Sequence, residues 1–189
     1  MIDKLVAAEQ NNGNTIIDDD IKIVAIDGRC ASGKSTLAEM LKKRYDCNVF
    51  RTDDFFLPHD KKTKERLSKP GGNCDYERFK KEVLENIMLK KAFSYNIYDC
   101  GSGKYRESGL TGYKKLNIVE GSYCLHESLI QYYDAKIVLD VEPVEQIERL
   151  SRRESADSLE RFKKIWIPLE EKYIREWEIF DKADVVVKT

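Results

Sequence analysis

Eight consecutive residues have the types and spacing to hold a phosphate chain: Gly28, Arg29, Cys30, Ala31, Ser32, Gly33, Lys34 and Ser35. They read G-x-x-x-x-G-K-S, the phosphate-loop pattern. Gly28 and Gly33 let the backbone curl where a Cβ would block it. The curled amides point inward at a helix N-terminus and attract an anion. In such a loop the lysine, here Lys34, reaches the β- and γ-phosphates of ATP, and the Ser35 hydroxyl binds Mg²⁺. Residues 28–36, including Thr36, are therefore the candidate nucleotide-binding segment. The flanks argue against a chance match. Residues 21–26 are β-branched and apolar, as in a buried parallel strand. Residues 36–44 are good helix formers, with apolar Leu37, Met40 and Leu41.

Three further groups stand where chemistry is expected. Asp53 and Asp54 follow a predicted strand over 48–52, and ligands of open α/β sheets bind beyond the carboxyl ends of strands. The alternative is that one of them caps the following turn. Glu120 lies at the end of a predicted strand over 116–121. Phosphate-loop proteins hold Mg²⁺ with the loop hydroxyl and an acid at a neighbouring strand end, so Ser35 and Glu120 are the candidate metal ligands. The alternative for Glu120 is a carboxylate facing water. Arg149, Arg152 and Arg153 share one face of a predicted helix. They would clamp the transferring phosphates or form a solvated basic face paired with Glu145 and Glu148. His59 and His126 have no ligand spacing and are read as non-catalytic.

The elements that must position these residues follow from periodicity. A short helix is predicted over 2–10, as a preface to the fold. Residues 59–74 read as a polar loop containing Pro70, Gly71 and Gly72. Asp75 is placed to cap a helix over 76–91, whose inner face carries Phe79, Val83 and Ile87. Segments 93–98 and 104–108 around Gly101 and Gly103 predict a hairpin, an insertion spanning 93–113. A helix over 122–133 and a strand over 135–141 come next, then a helix with Val144, Ile147 and Leu150. Residues 149–158 form a lid region, with a break over 154–158. The last helix is predicted over 159–180, with Leu159, Phe162, Trp166, Leu169, Tyr173, Trp177 and Phe180 as a core stripe. Pro168 should kink or split it. A fifth strand over 184–187 closes the chain.

The totals bound the rest. A chain of 189 residues suggests one domain, 1–189. A net charge of −1 asks for no nucleic-acid or membrane partner. No apolar run reaches membrane-spanning length and no signal-peptide pattern opens the chain. Five scattered cysteines without a C-x-x-C pair argue against a zinc site or disulfide framework and predict a reducing, cytoplasmic setting.

Taken in order, the loop at 28–35, Thr52-Asp53-Asp54-Phe55-Phe56, Asn73-Cys74-Asp75, Tyr98-Asp99, Val119-Glu120-Gly121 and the arginines of 149–153 resemble the uridine kinases. More broadly they resemble the P-loop small-molecule kinases that include nicotinamide riboside kinase, pantothenate kinase and phosphoribulokinase. The resemblance covers essentially everything after residue 20. It implies a P-loop NTPase fold: a five-stranded parallel sheet with helices on both faces and a small hairpin insertion. It implies that Asp53 accepts the proton of the substrate hydroxyl and that Glu120 is the metal-associated acid. Asp75 would hold ribose hydroxyls, and Phe56 and Tyr98 would line the nucleoside pocket. The arginines would belong to the lid. Two departures stand out. Phe56 occupies a position where tyrosine is usual, and Gly103 is the nearest match to the position where those kinases carry a pyrimidine-contacting histidine.

The expected activity is transfer of the ATP γ-phosphate to the primary hydroxyl of a nucleoside or similar small alcohol, with ATP and Mg²⁺ as cofactors. Nicotinamide riboside or another small metabolite is the alternative acceptor. A regulatory nucleotide-binding module would need no acid at Asp53, and a hydrolase would position water in place of the alcohol.

Overall fold

The computed structural model describes residues 21–189. The helix predicted over 2–10 lies outside the described residues. Five parallel strands form the central sheet in the order β2-β5-β1-β6-β7: β1 (Lys22–Gly28), β2 (Cys47–Arg51), β5 (Leu116–Glu120), β6 (Ala135–Asp140) and β7 (Val185–Lys188). The remaining two, β3 (Asn96–Asp99) and β4 (Lys104–Glu107), form the separate antiparallel hairpin. A bridge between Phe93 and Thr111 extends it, so the insertion closes near its predicted ends.

The apolar run of β1 is explained by burial on both faces, as parallel strands require. Ile23 and Ala25 enter one core with Phe50, Phe55, Phe79, Leu125, Leu129 and Tyr173. Val24 and Ile26 enter the other with Ala38, Cys47, Ile118 and Leu139. Helix α1 (Lys34–Arg44) covers the second face through Ala38. The short α2 (Lys64–Ser68) interrupts what reads in sequence as an uninterrupted loop, its Arg66 N–H capped by Thr63. Helix α3 runs through Tyr76–Phe79, a π-helical Lys80–Leu84 and Glu85–Met88. Its face of Phe79, Val83 and Ile87 is buried as the spacing predicts.

Several expectations are corrected. The segment 122–133 is helical only in α4 (Glu127–Ile130). Gly121 at φ 136° and Tyr123 at φ 73° carry the chain out of helical geometry, and the Leu125 N–H donates to Asp27 Oδ2 at 2.8 Å instead of to a helix carbonyl. Toward the C-terminus, α5 (Pro143–Arg153) is followed by a break of only Glu154 and Ser155. The next helix, α6, then begins as Ala156–Arg161, passes through a π-helical Phe162–Trp166, and continues as Ile167–Glu176. Pro168 does not split it. A proline lacks an N–H and crowds the carbonyl four residues back, and the wider π turn just before it accommodates both. That turn also rotates the inward face. Of the predicted stripe only Tyr173 is fully buried, and Glu170 and Ile174 join it inside. The last helix is α7 (Ile179–Lys182). All five cysteines are free thiols. Among the described residues, no helix is long and apolar enough to cross a membrane.

Candidate active site

The phosphate loop connects β1 to α1 and needs its first glycine for a steric reason. A Cβ on Gly28, which sits at φ 132°, would lie 2.0 Å from the Leu139 carbonyl oxygen on β6. Lys34 is buried, and its ammonium donates to the Gly28 and Arg29 carbonyls at 2.7 and 2.8 Å. The Ser35 hydroxyl donates to Glu120 Oε1 at 3.0 Å, so the two candidate metal ligands meet although 85 residues separate them.

A second close approach sets the other wall. A Cβ on Gly121 would lie 2.1 Å from Thr52 Oγ1, and that hydroxyl donates to the Ser122 carbonyl at 3.0 Å. The ends of β2 and β5 are thereby locked together, which brings Asp53 next to Glu120. A cleft of about 280 Å³ results, lined by Lys34, Ser35, Asp53, Glu120, Arg149 and Arg153, with Ala31, Gly33, Thr36 and Ser122 completing it.

The charges in the cleft are mutually dependent. Dehydration by the surrounding protein raises the Asp53 carboxyl pKa, and the cations Lys34, Arg153 and Arg51 oppose the rise. Burial raises Glu120, the Ser35 hydrogen bond lowers it, and the charge of Asp53 raises it again. Arg51 Nε stands 3.4 Å from Glu120 Oε1 and offsets part of that charge. Asp54 faces elsewhere: it accepts from the Tyr95 hydroxyl at 3.5 Å and lines a separate polar recess with Arg51 and Arg106.

The arginines divide. Arg149 donates to the Ala31 carbonyl at 3.2 Å and to Glu145 at 2.8 Å. Arg153 lines the cleft while paired with Glu154 at 2.7 Å. Arg152 is exposed, pairs with Glu148 at 3.2 Å and does not line the cleft. Arg29 turns out of the loop to bind Glu171 and Asp140, with its guanidinium over Phe180.

Asp75, Tyr98 and Phe56 do not line the phosphate cleft. Asp75 caps α3, accepting the Arg78 N–H at 3.1 Å, as its position before the helix predicts. Tyr98 is buried against Tyr105, their rings 5.2 Å apart. Phe56 pairs with Cys74 through an isolated bridge. Arg78, unremarked in the sequence, joins this region: it lies 3.6 Å from Asp75, donates to the Asn96 carbonyl of β3 and to the Asp54 carbonyl, and stacks over Phe55. Its signal was the i, i+3 spacing from the capping acid. Glu170 was also missed, because one of two adjacent acids in an amphipathic helix reads as a solvent-facing position. His59 is exposed. His126 is stacked on Tyr76 at 3.5 Å, and burial lowers its pKa to about 4.

A parallel five-strand sheet, a phosphate loop after β1, an acid after β2 and an acid ending β5 define a P-loop NTPase fold. Solved structures agree on that fold. The chain superposes on a possible uridine kinase from Bacillus stearothermophilus with a TM-score of 0.68, at 17% identity over 98% of this chain and 96% of that one. A candidate fructose transport system kinase from Silicibacter sp. TM1040 gives 0.65 at 19% identity, covering 98% and 97%. D-glycerate 3-kinase from Cryptococcus neoformans gives 0.55 at 13% identity, covering 89% and 84%. No protein-family model matches the chain, and no curated protein matches it in sequence.

Proposed function

We propose that the chain is an ATP-dependent kinase that transfers the γ-phosphate to a primary hydroxyl of a small alcohol, a nucleoside or a metabolite of similar size. The observation that carries this reading is the cleft itself. Asp53 faces the same space as Lys34 and the Ser35–Glu120 pair. A binding module has no use for that acid.

Phosphoryl transfer asks a protein for positioning and charge neutralisation. The loop amides and Lys34 hold the phosphate chain. Arg149 and Arg153 add positive charge at the cleft wall. Asp53 orients the acceptor hydroxyl and takes its proton at the carboxylate. Ser35 and Glu120 offer only oxygen donors, which suits a hard cation such as Mg²⁺. Among the described residues no three His, Cys, Asp or Glu side chains form a self-sufficient metal site. That fits an ion whose shell is completed by phosphate and water oxygens. Bound there, the ion would neutralise charge on the phosphates.

Acceptor choice is read from the same geometry. Asp75 is already engaged as a helix cap beside Arg78, Tyr98 is packed on Tyr105, and Gly103 offers no imidazole. A site that hydrogen-bonds a particular base rejects analogues strongly, and these residues supply little such discrimination. Phosphorylation is therefore expected to depend on the hydroxyl-bearing part more than on a pyrimidine. The test is kcat/KM across uridine, cytidine, nicotinamide riboside, pantothenate and simple sugars or sugar acids. A preference for uridine above about a thousandfold over every non-pyrimidine would refute it. ATP consumption equal with and without any acceptor would instead indicate a hydrolase.

A further inference from the structure

Glu170 is a carboxylate with no part in the chemistry above, yet it is 3% exposed and stands against the phosphate loop. Its two oxygens accept the Cys30 N–H at 2.9 and 2.8 Å, and Oε1 also accepts the Ser122 hydroxyl at 2.6 Å. Gln146 holds the same loop residue from the other side, donating to the Cys30 carbonyl at 3.1 Å. The loop's third residue is thus fixed at both its N–H and its C=O, by two different helices. Burying a carboxylate is costly unless donors surround it, and every neighbour named here is a donor. Burial raises the Glu170 pKa and the field of Lys34 opposes the rise; the two groups bond opposite ends of one peptide, Lys34 the Arg29 carbonyl and Glu170 the Cys30 N–H.

We propose that Glu170 is a positioning residue of the phosphate loop, anchoring Cys30 while its charge offsets Lys34 and weakens the loop's grip on nucleotide. This rests on the nucleotide-binding reading above. The two roles separate because a glutamine would anchor equally well. Its carbonyl can accept the Cys30 N–H, and its amide can donate to Ser122, whose hydroxyl also accepts. The Ser122 proton can then turn to the Gly28 carbonyl, 3.5 Å away. Charge is therefore unnecessary for anchoring, and what it changes is the field at Lys34. Across the Arg29–Cys30 peptide the carboxylate partly offsets the ammonium that would attract nucleotide phosphates. A carboxylate there favours release of the nucleotide product over its retention.

The test uses the full chain, with Glu170→Gln and Glu170→Ala. Isothermal calorimetry with Mg-ADP and Mg-AMP-PNP should show Glu170→Gln binding about three- to tenfold tighter, the range of one nearby charge in a partly screened site. Glu170→Ala should bind at least about fivefold weaker, because the anchor and its bonds are lost. Amide hydrogen exchange at Cys30, measured without nucleotide, should stay near wild type in the Gln variant and accelerate at least about tenfold in the Ala variant. Equal or same-direction affinity shifts in the two variants would overturn the charge role, which a merely structural residue would not show. Unchanged exchange at Cys30 in Glu170→Ala would overturn the anchor. Should Glu170→Ala fail to fold, the direction of the Gln shift decides the proposal. A wild-type protein that binds neither nucleotide would refute the reading it rests on, while the exchange comparison still decides the anchor.

Discussion

Replacing Asp53 with asparagine keeps the volume and removes the carboxylate proposed to take the acceptor hydroxyl proton. The forces on that carboxylate are dehydration, which raises its pKa from the ordinary value of 3.8, and the fields of Lys34, Arg153 and Arg51, which lower it. Loss of a general base costs about a hundredfold to ten-thousandfold in rate, or about 2.7–5.5 kcal/mol of transition-state stabilisation. Stopped assays of product formation under saturating ATP and acceptor measure kcat, and calorimetry measures nucleotide binding separately. The expected result is a kcat loss in that range with nucleotide affinity kept or improved, since a negative charge near Lys34 disappears. The pH profile gives a second readout. The base acts ionised, so wild-type activity should rise with pH through a pKa above 3.8, and the asparagine variant should lack that acid limb. Stability moves the other way. With the folded pKa above the unfolded one, the native state binds the extra proton and loses stability as pH rises through that window. Glu120 is also raised by burial and contributes in the same direction. A kcat within threefold of wild type, or a larger loss in Asp54→Asn, would refute the assignment of Asp53.

Lys34→Ala should weaken Mg-ATP binding at least about tenfold, because the phosphate charge loses its buried counter-ion; wild-type affinity by calorimetry would contradict the loop's role. Glu120→Gln should raise the Mg²⁺ concentration for half-maximal activity severalfold, since the cation loses an anionic oxygen, and a superimposable Mg²⁺ titration would remove Glu120 from the site. Arg153→Ala should lower kcat/KM at least about tenfold, whereas Arg152→Ala, whose side chain is exposed beside Glu148, should change it less than twofold. Equal effects in steady-state assays would mean that the arginine face works as a unit.

The phosphate loop, the strand-end acids, the hairpin and the cap at Asp75 were legible in the sequence because each is a local property. Four spaced residues define the loop, two glycines mark the hairpin turn, and an acid before an apolar-periodic run marks a helix start. The five strands were legible for the same reason, as short β-branched runs. What the tertiary structure alone decided depends on contacts between distant residues. The helix expected over 122–133 yields to Asp27, which takes the Leu125 N–H from 98 residues away. Ser35 and Glu120 come within 3.0 Å because β1 and β5 are neighbours in the sheet, a register that no local pattern encodes. Arg152 and Arg153 are adjacent in the chain, yet the helix's rotation against the loop turns only one of them into the cleft. The π turn before Pro168 shifts the inward face of α6, and that shift carries Glu170 from an apparent surface position to the phosphate loop. A helical face is a phase as well as a period. Its residues set the period, and packing against the rest of the chain sets the phase.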